Sequence, residues 1–269
     1  MTAMTPQEVR SPTIWRLRQA TPDDSNIWLA LEHPTSLKLV RELLTDLPAH
    51  ADGSLTFVHL LPGIETPFDV QKEFEAWVAE CDSAEPYLDV VSRNVRLVWR
   101  DRRCLAFAPA QSVDDCLAAA AAFSHTYSTL SSEEARLEEA WPAMMADVAL
   151  THDVPRAALR EQSRVNNMTR RFQSARILVT RIDMALQRRE PTLLPAAKRL
   201  FSELALQSDL ASRVRLLDDG IEVGEDLYER ANDRLIEYRN FLTELWVEIA
   251  ILCAILAEFA VLLVDLFER

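Results

Sequence analysis

Apolar residues recur along this chain with two different periods, and the change falls near Leu130. Before it, short alternating runs mix with helical patterns. Asn26–Leu31 and Leu55–Leu60 read as β, while the spacing predicts a helix near Ser36–Leu47 and an amphipathic one over Pro67–Glu80. Asn94–Trp99 and Cys104–Phe107 predict a hairpin around Arg100–Arg103. Asp114–Leu130, with the alanine run Ala118–Ala122, predicts a helix. Together these make a small α+β domain over residues 26–130, preceded by a Thr- and Pro-rich flexible leader over 1–25.

After Leu130 every signal is helical. Ser131 with Glu134 forms a capping-box pattern that starts a new helix; Pro142 should kink it and Thr151–Pro155 should end it. Over Arg156–Arg189 the apolar positions Val165, Met168, Phe172, Ala175, Val179, Ile182 and Leu186 alternate by three and four, which is a heptad stripe. Pro191 and Pro195 predict a turn, and Ala196–Leu206 a short helix. The last stripe begins at Leu210, Val214, Leu217 and Ile221 and runs through Leu235 and Leu242 to Leu263 and Leu266 without a charge. A helix of that extent would be about 85 Å long. The fold class is therefore α+β: a small N-terminal α/β domain, a long antiparallel helical hairpin over 131–244, and an apolar C-terminal helix over 245–269.

Downstream of Leu242 the face opposite the seam turns apolar as well, with Val247, Ala250, Cys253, Ala254, Ala257 and Val261. A helix apolar on nearly every side is buried in protein or in lipid. Leu245–Phe267 is long enough to cross a hydrocarbon core. Three acids interrupt it: Glu248, Glu258 and Asp265. Each costs roughly 2.5–3.5 kcal/mol at mid-bilayer, against about -4 to -8 kcal/mol from the Leu, Ile, Val and Phe side chains. Insertion of a lone helix is marginal, so an assembly that turns the intramembrane acids Glu248 and Glu258 inward is expected, with Ile249, Leu252, Leu256 and Phe259 as its seam. Arg230, Arg234 and Arg239 precede the segment, a bias that places the bulk of the chain on the cytoplasmic side. The alternative is a wholly cytoplasmic protein whose last helix is buried in an oligomer.

The net charge of -13 argues against nucleic-acid binding by the chain as a whole. One helix departs from that average: Arg156–Arg189 has nine arginines, Arg164, Arg170, Arg171, Arg176 and Arg181 among them, against Glu161 and Asp183. The next long helix is acidic, with Asp218, Asp219, Glu222, Glu225, Asp226, Glu229, Asp233 and Glu237. Opposite charges on two heptad helices predict that they pair within the chain; contact of the basic helix with RNA or anionic lipid is the alternative.

Ala108–Val113 reads A-P-A-Q-S-V, and Arg213–Val214 opens a charged heptad helix that leads into the apolar tail. In these two stretches the chain resembles the "required for meiotic nuclear division" proteins of bacteria and mitochondria, and the first is similar to that family's short A-Q-S motif. From Arg213–Val214 the chain runs ungapped through Leu235, Glu237, Arg239 and Glu244 into the apolar tail, as the family's charged heptad helix and single anchor do. It departs at Arg189–Pro195, R-E-P-T-L-L-P, where the family has L-D-x-P-D-F-F-W. The resemblance implies a divergent bacterial member that is membrane-anchored, self-associating and without catalytic chemistry; mitochondrial members imply a ribosome as a further partner.

Signals for catalysis are weak. Gly53, Gly63, Gly220 and Gly224 cannot make a phosphate-cradling loop, and Cys81, Cys104, Cys116 and Cys253 have no C-x-x-C spacing. The histidines His33, His50, His59, His125 and His152 are scattered, with no H-E-x-x-H. No catalytic residue, cofactor, metal or small-molecule substrate is expected. The function expected is a non-catalytic membrane-anchored scaffold or tether whose partners are further copies of itself and membrane lipid. Two alternatives stand beside it: a soluble helical adaptor, and an ion-handling membrane oligomer with Glu248 and Glu258 as pore carboxylates. The last is distantly like the long-helix magnesium transporters, which have a second spanning segment and a G-M-N motif that this sequence lacks.

Overall fold

The computed structural model describes residues 12–48, 53–62, 66–81, 83–152, 156–188 and 190–267, with side chains throughout except at 156–158, 188 and 261–267. Seven strands form one mixed sheet: β1 (Thr13–Gln19), β2 (Leu29–Leu31), β3 (Leu37–Leu44), β4 (Leu55–Leu60), β5 (Leu88–Ser92), β6 (Val95–Arg100) and β7 (Arg103–Phe107). Their order is β2-β3-β1-β4-β7-β6-β5. The β4–β7 pair is parallel and the other pairs are antiparallel. Five α-helices complete the described chain: α1 (Phe68–Ala79), α2 (Val113–Asp147), α3 (Gln162–Arg188), α4 (Pro195–Gln207) and α5 (Leu210–Phe267). The α+β class is as expected from the sequence.

The chain gathers into two compact units, and neither is a continuous stretch. One comprises residues up to Ala135 with Ile177–Asp218; the other comprises Arg136–Arg176 with Asp219–Arg269. This differs from the consecutive division at 25, 130 and 244, because α2, α3 and α5 each contribute residues to both units.

In the first unit every residue of β4 is buried, as suits a central strand covered on both faces. On one face Val58, Val98, Leu105 and Phe107 pack with Phe74 and Val78 of α1. On the other, Trp99 meets α2: its ring stands edge-on to Phe123 at 4.8 Å, and its indole N–H donates to Ser124 Oγ at 2.7 Å. The buried alanines Ala119–Ala122 let α2 lie close to the sheet.

Three expectations fail here for identifiable reasons. Thr13–Gln19, assigned to the flexible leader, is β1, paired to β3 on one side and β4 on the other. Ile14 and Leu17 are three residues apart and so bury on opposite faces of the strand, without a period-two alternation to mark it in the sequence, and Arg18 finds Asp24 and Glu42. The helix expected near Ser36–Leu47 is β3; Leu, Lys, Arg and Glu are good helix formers, but pairing on both edges overrides that local preference. The capping box at Ser131 does not start a helix, since α2 runs unbroken through it. Ser131 Oγ and the Glu134 carboxylate instead accept hydrogen bonds from Arg213 of α5, at 2.9 and 2.5–3.0 Å. That bond to Glu134 holds the Arg213 guanidinium above its ordinary pKa.

Side chains from the helical region finish two strand ends. Gln207 donates to the Asp89 carbonyl and accepts from the Asp89 N–H, standing in for a further strand beside β5. Just past β2, the buried Glu190 carboxylate accepts the N–H groups of Glu32 and His33, both at 2.9 Å.

Candidate functional site

The expected heptad stripes are packed where the helices have neighbours. In α3, Val165, Phe172, Val179 and Ile182 are buried; in α5 the seam is buried at Leu210, Val214, Leu217, Ile221, Tyr228, Ala231 and Leu235. The second unit shows why Gly220 and Gly224 occur inside a helix. A methyl on Gly220 would come within 2.5 Å of Leu137, and one on Gly224 would collide with the Phe172 ring, which stacks on Tyr228 at 5.6 Å. At the end of α2, the buried Asp147 accepts two bonds from Arg164 at 2.7 Å and one from the Tyr228 hydroxyl at 2.9 Å. Burial, then the bond to Asp147, pushes the Tyr228 phenol above its ordinary pKa; the bonds to Asp147 and Glu161 raise that of Arg164.

Past Leu235 the helix outruns its packing. Tyr238, Leu242 and Leu245 are half-buried, and from Trp246 to Ala260 every residue is exposed. The predicted seam residues Ile249, Leu252, Leu256 and Phe259 share one face by their three-four spacing, and all four are exposed. Phe241, Trp246, Val247, Ile251 and Ile255 are exposed around them. A fully buried side chain of this kind contributes about 1.5–3 kcal/mol. Nine of them left half-solvated forgo roughly 10 kcal/mol, comparable with the whole stability of a domain. Among the described residues this helix alone is long and apolar enough to cross a membrane, and none of its apolar window is buried. Glu248 and Glu258 are exposed in the same stretch, about 80° apart around the axis at 3.6 residues per turn.

The basic helix is distributed differently from the expected pairing. Arg176 reaches Glu225 of α5 at 3.8 Å. Arg164 turns to Asp147 and Glu161, Arg171 donates to the Arg136 carbonyl, and Arg181 donates to the Glu32 carbonyl. Arg170 is exposed. Mutual neutralisation of α3 and α5 is thus partial, because most acids of α5 lie away from α3. Opposite the buried seam lie Asp219, Glu222, Asp226, Glu229, Asp233 and Glu237, all exposed and acidic, with Arg230 as the one cation among them. Counting charges per helix missed this stripe; its phase, half a turn from the seam, is the signal that reveals it.

The histidines do not converge. His59 lies buried with Nε2 bonded to the Ala108 carbonyl at 2.7 Å, and His125 meets Thr35; His50 lies outside the described residues. Among the described residues no group of three or more His, Cys, Asp or Glu is placed to hold a metal ion.

No family model matches the chain, and no curated protein matches it. Among solved structures it is similar to one described as "structure of the full-length CmaX protein", at 16% identity and a TM-score of 0.37, over 82% of this chain and 80% of that one. A likeness of that size bears on neither mechanism nor partners.

Proposed function

We propose that this chain is a membrane-anchored, self-associating scaffold, with the C-terminal part of α5 in the bilayer and the remainder on the cytoplasmic side. The supporting observation is the largely apolar surface between Trp246 and Ala260, every residue of which is exposed, following a seam that is well packed as far as Leu235. Lipid satisfies such a surface, and neighbouring copies shield Glu248 and Glu258 from hydrocarbon. Arg230, Arg234 and Arg239, ahead of the apolar stretch, favour the cytoplasmic placement. The resemblance of Arg213–Glu244 to a family with a single anchor agrees with this reading.

Fractionation of the full chain tests it. The protein should sediment with membranes and resist alkaline carbonate, and truncation before Leu245 should release it. Cys253, exposed on α5, supplies a native probe. A membrane-impermeant maleimide should leave it unlabelled in sealed vesicles and label it in detergent. For self-association, Leu252→Lys on the seam should disrupt cross-linked oligomers more than Ala254→Lys on the outer face. A full-length chain that is soluble without detergent sinks the anchor and leaves the soluble adaptor.

A second reading rests on the two carboxylates exposed within the apolar stretch. If the assembly passes cations, flux into proteoliposomes should fall with Glu248→Gln and Glu258→Gln while oligomer mass stays constant.

A further inference from the structure

Within the second unit, α3 and α5 each have a buried side and an opposite, exposed side. On α5 the exposed side is the stripe from Asp219 to Glu237, six carboxylates at three- and four-residue spacing. Arg230 within it and Arg234 at its edge bond Asp226 at 3.3 Å and Glu237 at 2.9 Å. Glu222, Glu229 and Asp233 have no cationic partner among the described residues. Carboxylates one turn apart repel, so the stripe weakens its own helix unless something cationic covers it.

On α3 and the turn before it, the side opposite Val165 and Phe172 carries Arg160, Ser163, Asn167, Arg170 and Ser174, all exposed and without an acid. Because Phe172 packs on Gly224 and Tyr228, these two charged sides face away from each other and cannot meet within one copy. They can meet between copies.

We propose that the acidic stripe of α5 in one copy docks on the basic stripe of α3 in the next, repeated head to tail around an axis normal to the membrane. The proposal rests on the membrane-anchored, self-associating reading, since a shared bilayer holds all copies parallel. Rotation about the membrane normal keeps every residue at its own depth, which makes the pairing specific. Arg170 is two residues from Phe172 and so lies level with Gly224–Tyr228; it meets Asp226 and Glu229 of the neighbour. Arg160 lies ten residues earlier, in the 3-10 turn Arg156–Glu161 that leads into α3, and comes level with Asp233 and Glu237. A contact between two different faces closes into a ring when the rotation permits. It is exposed and charged, so salt weakens it.

The test uses the full chain in detergent, with oligomer mass measured by light scattering across protein concentration. Arg160→Glu with Arg170→Glu should raise the concentration needed for assembly by about tenfold or more, as should Glu229→Arg with Asp233→Arg. Combining all four changes in one chain should restore assembly, and so should mixing the two double variants, since each then offers the face its neighbour needs. Equal thermal midpoints for all variants establish that folding is intact; if a reversal fails to fold, Arg160→Gln with Arg170→Gln, and Glu229→Gln with Asp233→Asn, should each weaken assembly by a smaller factor, without the rescue that exchanged charges give. Wild-type assembly should loosen as salt rises. Oligomers unaffected by either double variant overturn this interface while leaving self-association standing, as does assembly that the four-change chain fails to recover. Unchanged oligomers with lost RNA binding in the arginine variant give the basic stripe to RNA instead. A wild-type chain that is monomeric at every concentration removes the self-associating reading itself.

Discussion

Phe172 occupies the space that a side chain on Gly224 would need: its ring lies against the bare Cα of α5 and stacks on Tyr228 one turn further along. An isolated helix gains about 1 kcal/mol when an interior glycine becomes alanine. Overpacking a close contact costs about 1–3 kcal/mol. The ring is pinned by Tyr228, so the second effect should win and Gly224→Ala should lower the thermal midpoint of the solubilised chain. Gly220→Ala meets the flexible end of Leu137 instead and should cost less. A Gly224→Ala chain as stable as wild type would mean that Phe172 can move aside freely.

Asp147 ends α2, where a carboxylate runs against the helix dipole, and it is nonetheless buried. Its bonds to Arg164 and Tyr228 offset that placement and tie α2, α3 and α5 together. Asp147→Asn should cost about 1.5–3 kcal/mol in denaturant unfolding, the range for hydrogen bonds to a charged group. Tyr228→Phe, which removes one arm, should cost about 1 kcal/mol. Equal effects from the two would show that Arg164 contributes nothing, as its partial exposure would then explain.

His125 is half-buried against Thr35, and burial lowers its pKa below the ordinary 6.5, against the opposing pull of the Thr35 carbonyl and Glu190. A depressed histidine is neutral in the fold. Its contribution to stability is complete above pH 6.5 and is lost as pH falls through the lower folded value. The thermal midpoint of wild type should therefore fall between pH 7.5 and 5.5, and His125→Gln should flatten that slope. An identical slope in the variant would assign the acid sensitivity to other groups.

Much of the helical half was legible because its signal is local. Seam positions repeat every three and four residues whatever they pack against, so Val165, Phe172, Tyr228 and Leu235 could be assigned to a buried stripe before any partner was known. The same holds for Leu55–Leu60 and the hairpin strands, whose β-branched and aromatic residues agree with their surroundings. The thinning of polar residues after Glu244 is also written in the chain alone, since apolarity on nearly every face needs no fold to be seen.

The remaining features depend on contacts between residues far apart in sequence. Leu37–Leu44 has helix-forming composition and is a strand because β1 and β2 flank it. Ser131 and Glu134 look like a helix start, yet they receive Arg213 from about eighty residues away. The charges show the same division. The sequence determined that α3 is basic and α5 acidic, and an inventory of charges predicted that they neutralise each other. Where each charge points depends on which side of each helix is buried, and Phe172 against Gly224 fixes that side, turning most of the acids of α5 away from α3 and toward whatever lies beside the molecule.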